Sequence, residues 1–152
     1  MNIQEKLGWT GRIKVTSTYR DGRVEIEEFD NLITDAGRNL LRDALRQPTD
    51  AEIKYIAWGS GTTAPTVANT ALGTETGRKA VTKQTVGTAG VVVTTVYLAP
   101  FDANMQIQEL GWFAGVGATA TAGSGVMVAR VLYSKLKTEL ESIQIDRTDT
   151  IV

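Results

Sequence analysis

The chain has 152 residues, of which 42% are hydrophobic and 22% are charged, and its formal net charge at pH 7 is −1. These values are typical of one soluble globular domain, and no apolar run approaches the roughly 20 residues that cross a bilayer. Cysteine and histidine are both absent, which excludes disulfides, Cys-His and Ser-His-Asp catalysis and most zinc sites. The near-zero charge gives no field that attracts a polyanion. We therefore expect no cofactor, no nucleic-acid partner, no membrane partner and no enzymatic activity.

The first ten residues lack the basic start and apolar block of a secretory signal, so we expect synthesis and assembly in the cytoplasm. They carry three spaced apolar side chains, Ile3, Leu7 and Trp9. The segment is too short for a stable isolated helix, whereas an exposed Leu and Trp are unusual in a disordered tail. We interpret residues 1–10 as an arm that packs on its own domain or on a neighbouring subunit, and residues 11–152 as a single β-rich domain.

A β-hairpin follows the arm. Strict alternation over Arg12–Tyr19 predicts a half-buried strand, and Asp21-Gly22 can supply the two positive-φ positions of a tight turn. The chain then returns through Arg23–Phe29. On this second strand we expect the aliphatic side chains to face inward and the glutamates to face solvent: Val24 and Ile26 inward, Glu25 and Glu27 outward.

One helix is predicted over about residues 34–46, with Thr34 as its N-cap and Pro48 beyond its end. Its apolar stripe consists of Ala36, Leu40, Leu41, Ala44 and Leu45. Three arginines at helical spacing, Arg38, Arg42 and Arg46, are compatible with a phosphate-binding ridge or with a solvated helix face. We favour the solvated face because the chain has no basic excess.

The segment Tyr55–Leu72 begins as a strand and breaks at Gly59-Ser60-Gly61 into a polar run of Thr, Pro and Asn. These glycines are not a Walker loop, because the required Gly-Lys-Ser/Thr and the following helix are absent. We interpret the segment as a long loop anchored at both ends. Trp58 is expected in the core, and Gly59–Asn69 is expected to face a neighbour.

The remaining chain is rich in strand patterns and poor in charge. The predicted elements, in order, are a charged edge strand at Gly77–Thr85, a central strand at Val91–Leu98, a strand at Met105–Val116 with a bulge near Gln108-Glu109 or a bend at Gly111, a flexible loop at Gly115–Gly125, a strand from Val126 through Tyr133, and a closing strand that ends at Ile151-Val152. The apolar chain end is expected either to pair in the sheet or to contact another subunit.

A hydrolase with converging carboxylates is the least favoured alternative. The candidate carboxylates are Asp30, Asp35, Glu75, Asp102 and Glu109, and nothing in their spacing suggests paired acids for glycoside cleavage.

Three segments together resemble a family of small virion proteins of tailed bacteriophages. They are Asn31–Leu41 (NLITDAGRNLL), Tyr55–Pro65 (YIAWGSGTTAP) continuing to Thr70–Glu75 and Arg78, and Ile107–Phe113 (IQELGWF). The resemblance implies an antiparallel β-sandwich or jelly-roll-like domain with one α-helix, present in many copies on a virion. It further implies a homo-oligomer, with a trimer suited to local three-fold positions of a capsid.

The resemblance leads to two functional hypotheses. The first is a capsid decoration protein that binds the major capsid protein across capsomers and stabilises the shell. The second is a tail-fibre or baseplate module in which Trp58, Tyr97 or Trp112 stacks on a receptor glycan, although core packing is the commoner role of such aromatics. The candidate subunit or capsid contacts are Ile3, Leu7, Trp9, Ser60, Thr62, Thr63, Pro65, Thr119, Ile151 and Val152.

Overall fold

The computed structural model describes residues 8–152, and within that range it is an antiparallel β-sandwich with one helix, as predicted. The elements are β1 (Trp9–Tyr19), β2 (Val24–Asp30), β3 (Leu32–Ile33), α1 (Asp35–Arg46), β4 (Ile53–Gly59), β5 (Glu75–Ala80), β6 (Lys83–Val86), β7 (Val91–Leu98), β8 (Gln106–Ala114), β9 (Val126–Leu136) and β10 (Glu141–Ile151). One sheet has the order β2-β1-β10-β7-β6, and the other has the order β3-β9-β8-β4-β5.

The first and last strands form the middle of one sheet. They pair in full register, from Trp9 opposite Ile151 to Tyr19 opposite Glu141. Beyond this ladder, the N–H of Gly8 donates to the carbonyl of Val152, and the N–H of Val152 donates to the carbonyl of Gly8, each at 2.9 Å. The backbone at the chain end is therefore paired in the sheet, which was one of the two expected outcomes.

The ladder also revises the boundary of the N-terminal arm. Trp9 and Thr10 are strand residues of β1, and the Trp9 ring packs against the core between the sheets. Ile3 and Leu7, the other apolar residues assigned to the arm, lie outside the described residues.

The predicted facing of β2 was wrong. Val24 and Ile26 are 54% and 57% exposed, whereas Glu27 and Phe29 stand opposite the buried side chains of Val15 and Ile13. Directly opposed residues share a face of the sheet, so Glu25, Glu27 and Phe29 lie on the inner face, where the two glutamates stay exposed at the sheet edge and Phe29 packs against the core. The turn also differs, because only Gly22, and not Asp21, has positive φ.

The predicted edge strand at Gly77–Thr85 is two strands in different sheets. β5 pairs with β4, and the N–H of Val81 donates to the carbonyl of Lys54. The next residue, Thr82, donates to Thr95 and begins the approach of β6 to β7. The chain thus crosses between the sheets within two residues, and both short strands form sheet edges.

The core lies between the two sheets and is built largely from the central strands. Trp112 is fully buried, and Trp58 is 9% exposed and belongs to the same cluster, which confirms its predicted place in the core. The β8 ladder shifts register between Ile107 and Glu109, which confirms the predicted bulge. Such a bulge adds an unpaired residue and changes which side chains face inward.

The helix forms as predicted, and its arginines lie on a solvated face. Thr34 accepts the N–H of Gly37 on its hydroxyl and donates to the carbonyl of Met127, so one side chain caps the helix and ties it to β9. The three arginines pair with carboxylates on the same helix, Arg38 with Asp35 and both Arg42 and Arg46 with Asp43.

Close packing of α1 on β9 generates a prediction for Gly37. A Cβ at this position would lie 2.8 Å from both the Cα and the carbonyl oxygen of Val128, and backbone cannot yield as a side chain does. We expect Gly37→Ala to lower the free energy of unfolding by about 1–3 kcal/mol, although alanine is the better helix former. Chemical denaturation measures the change. Asn39→Ala, on the exposed side of the helix, is the control, and stabilisation by Gly37→Ala would contradict this packing.

Candidate contact surface

A buried carboxylate at the β8 bulge organises the long loop after β4. Glu109 is fully buried, and it accepts the N–H groups of Gly61, Gly73 and Thr74 at 2.9, 2.9 and 2.8 Å. Gly61 stands near the start of the loop, and Gly73 and Thr74 stand at its end. One side chain thus joins the two ends of residues 60–74.

The counter-ion of Glu109 is Arg130 on the neighbouring strand β9. The guanidinium Nε and Nη2 lie 2.9 and 2.8 Å from the same carboxylate oxygen, and Arg130 is only 2% exposed. Burial raises the pKa of the Glu109 carboxyl, but the N–H groups of Thr74 and Gly73 and the Arg130 guanidinium stabilise the charged form more. The net effect is a pKa below the ordinary 4.5.

Glycine is required where the loop passes the carboxylate. A Cβ added at Gly61 or at Gly59 would overlap an oxygen of Glu109. The Gly-Ser-Gly sequence that invites a phosphate-binding interpretation therefore lets the backbone approach a carboxylate of the same chain. Leu72, 8% exposed, packs in the smaller apolar cluster and anchors the far end of the loop, as predicted.

The tip of this loop is also fixed to its own domain. The Nη1 of Arg130 donates to the Asn69 side-chain oxygen at 3.1 Å, and that oxygen also accepts the N–H of Thr66. The N–H of Asp35, in the first turn of α1, donates to the carbonyl of Val67. The loop is held by the ion pair on one side and by the helix on the other.

A second ion pair holds the small-residue loop after β8. Arg78 on β5 forms two hydrogen bonds with Glu75, of 2.6 and 3.1 Å, and both side chains are at least nine-tenths buried. The remaining Nη1 of Arg78 donates to the carbonyls of Thr119 and Ser124, and Glu75 accepts the N–H of Gly123. The Arg78 guanidinium also stacks 4.3 Å above the Phe113 ring.

The two loops form one structural unit that we call the loop surface, comprising residues 60–74 and 115–125. They adjoin because Thr74 is followed directly by Glu75, which bonds to the second loop. Neither loop contains a charged residue. Of the predicted contacts, Ser60, Thr62, Thr63 and Thr119 are exposed and Pro65 is half-buried. This arrangement offers neutral hydroxyl and methyl groups on a backbone that is already ordered.

The other predicted contacts lie elsewhere or outside the description. Ile151 and Val152 are 46% and 65% exposed and stand beside Trp9 at the end of β10. Trp9 donates its indole N–H to Asp149 at 2.7 Å, and Asp149 pairs with the fully buried Arg147 at 2.6 Å. Trp9 is therefore committed to its own domain.

The candidate carboxylates are each paired with a different cation. The pairs are Asp30 with Arg12, Asp35 with Arg38, Glu75 with Arg78, Asp102 with Lys79, and Glu109 with Arg130. Across residues 8–152, no group of three or more carboxylates is placed to hold a metal ion. The structure therefore does not bring these acids together as one site.

Two of the three aromatics considered for glycan stacking are in the core. Trp112 has no exposed surface and Trp58 has 9%, whereas Tyr97 is 43% exposed on the outer face of β7. An aromatic must present its ring face to a sugar in order to stack, so Tyr97 is the member of this set that can do so.

Comparison with known proteins adds no assignment: the chain matches no protein-family model, no curated protein and no solved structure. Among the residues from Gly8 onward, no helix is long and apolar enough to cross a membrane.

The Glu109–Arg130 pair generates a stability prediction. Glu109→Gln removes the charge that three N–H groups and Arg130 share, and it leaves a buried guanidinium without its counter-ion. We expect a loss of about 3–5 kcal/mol in the free energy of unfolding at pH 7. Glu28→Gln, which breaks an exposed pair with Arg12, is the matched control and is expected to change stability by less than about 1 kcal/mol.

The depressed pKa of Glu109 generates a pH prediction. The folded chain holds this carboxyl ionised to a lower pH than the unfolded chain, where the ordinary value of 4.5 applies. Its stabilisation is complete above that value and is lost as the pH falls through the folded pKa. The stability difference between wild type and Glu109→Gln should therefore narrow below about pH 4.5. Urea denaturation from pH 7 to pH 3 measures it, and a constant difference would contradict the assignment.

Proposed function

We propose that this chain is a non-enzymatic structural protein of a tailed-bacteriophage virion, and specifically a capsid decoration protein that binds through the loop surface. In this proposal it is a homo-oligomer, with a trimer matching local three-fold positions, and its partner is the major capsid protein. The virion assignment is motivated by the resemblance to virion proteins of Asn31–Leu41, of Tyr55–Pro65 with Thr70–Glu75 and Arg78, and of Ile107–Phe113.

The observation that carries the proposal is the fixation of both loops by buried ion pairs. A loop that is ordered before binding loses less conformational entropy on association, which favours affinity. Besides its ion pair, each of Glu109 and Arg78 makes hydrogen bonds to backbone groups of these loops. The result is a preordered neutral surface that suits binding to a fixed protein lattice.

A decoration protein needs no chemistry of its own. If it binds the assembled shell and not the separate subunits, its binding free energy adds to the stability of the shell alone. The pairing of each candidate carboxylate with its own cation fits such a role. The tail-fibre alternative receives less support, since Trp58 and Trp112 are packed in the core.

The test uses particles of the virus that encodes the chain, prepared without this protein. Added protein should co-sediment with heads, and because the loop surface is uncharged, raising NaCl from about 0.05 to 0.5 M should change the affinity by less than about threefold. Thr62→Glu should weaken binding at least tenfold, because an unpaired charge is desolvated in the contact. Thr18→Glu, at an exposed threonine of β1 on the other sheet, is the matched control.

Three outcomes would contradict the proposal. The first is association with tails rather than heads. The second is binding that Thr62→Glu leaves unchanged. The third is saturable binding to a glycan that Tyr97→Ala abolishes, which would favour the tail-fibre alternative.

A further inference from the structure

An apolar groove lies where the second half of α1 passes the paired ends of β1 and β10. Its floor and walls are formed by Gly8, Trp9, Leu41, Leu45, Ile151 and Val152, and its cavity volume is about 460 Å³. Leu45 is 85% exposed and Val152 is 65% exposed. Arg38 and Arg42 also line it. We call this the terminal groove.

A smaller pocket of about 250 Å³ continues from the terminal groove between α1 and the sheets, sharing Trp9, Leu41 and Ile151 with it. Its other lining residues are mostly apolar and include Leu40, Ile53, Val92 and Val128. The pocket therefore suits apolar side chains.

The chain itself leads into the terminal groove. Gly8 is held at its wall by two hydrogen bonds to Val152, and Leu7 is the residue that precedes it in the sequence. The segment Met1–Leu7 lies outside the described residues, and seven residues reach at most about 25 Å. Leu41 and Leu45 are one helical turn apart, about 6 Å along the axis, so both are within that reach.

The composition of the segment matches the terminal groove. Ile3 and Leu7 supply apolar side chains, and Glu5 between them carries the charge opposite to that of the two arginines that line the groove. We propose that Met1–Leu7 docks in the terminal groove of its own chain, with Ile3 and Leu7 against the exposed face of α1. This inference does not depend on the capsid or on any other partner.

Cross-linking tests the proposal directly, because the chain has no native cysteine. The full-length double variant Ile3→Cys with Leu45→Cys is oxidised under mild conditions, and disulfide formation is followed by mass and by non-reducing electrophoresis. Docking holds the two thiols at a high effective concentration, so we expect a monomeric cross-link to form at least about tenfold faster than in the control pair.

The control is Ile3→Cys with Thr10→Cys. Thr10 is exposed and lies only two residues after Gly8 in β1, so residue 3 can reach it, but it does not line the terminal groove. A tail that moves freely would cross-link to Thr10→Cys at least as fast as to Leu45→Cys, whereas a docked tail favours Leu45→Cys. Neither Leu45 nor Thr10 is in the core, so both variants are expected to fold.

A single variant gives an independent readout. The thiol of Leu45→Cys should react with an alkylating reagent several-fold faster when residues 2–7 are deleted. Equal oxidation rates in the two double variants would overturn the proposal, as would alkylation that the deletion does not change. Predominantly intermolecular disulfides would also overturn it, because they would assign the terminal groove to a second copy of the chain.

Discussion

The carboxylate of Glu109 is the interaction on which the outer loops depend. A buried charge is tolerable only when its hydrogen-bonding capacity is filled, and here three backbone N–H groups and a guanidinium fill it. The carboxylate leaves room only for glycine at position 61, and the carbonyl of Thr74 does the same at position 59. The β8 bulge lies next to Glu109 in the strand. The loop is therefore ordered from within the sandwich rather than by contacts along its own sequence.

The loop of residues 115–125 is held in the same way, but by a cation instead of an anion. Around Glu109 an anion gathers N–H groups, whereas Arg78 is a cation that gathers carbonyl oxygens. Both groups lie on strands of the same sheet, β8 and β5, on either side of β4. A rigid sheet thus carries two complementary charged anchors, and the small neutral residues of the loops are free to serve as contact surface because they need not hold the loops in place.

Short sequence patterns predicted the features that depend mainly on neighbouring residues in the sequence. Alternation identified the inner face of β1, Thr34 marked the start of α1, and the change of phase at Glu109 located the bulge. The same reasoning gave the wrong facing for the edge strand β2. Glu25 and Glu27 share a face with buried residues of β1, and at a sheet edge these long acidic side chains still reach solvent or, for Glu27, a tyrosine hydroxyl.

The ion pairs of the candidate surface required information that no short pattern contains. Glu109 and Arg130 are isolated charges within apolar strands, which is a visible signal, but their pairing follows from the β8–β9 register. Arg147 and Asp149 share one strand, yet Asp149 also accepts the indole N–H of Trp9 from the other end of the chain. The sequence also did not predict that β5 and β6 belong to different sheets, because the two-residue crossing between Ala80 and Lys83 contains no turn motif.

The pairing of β1 with β10 has a consequence for how this chain folds. The central ladder of one sheet joins residues more than 120 positions apart, so its hydrogen bonds form only after most of the loop-closure entropy has been lost. During synthesis one edge of β1 has no strand to pair with until β10 has left the ribosome. Such non-local topology is associated with slow folding, and a sheet whose centre closes last exposes strand edges to neighbouring nascent chains in the meantime.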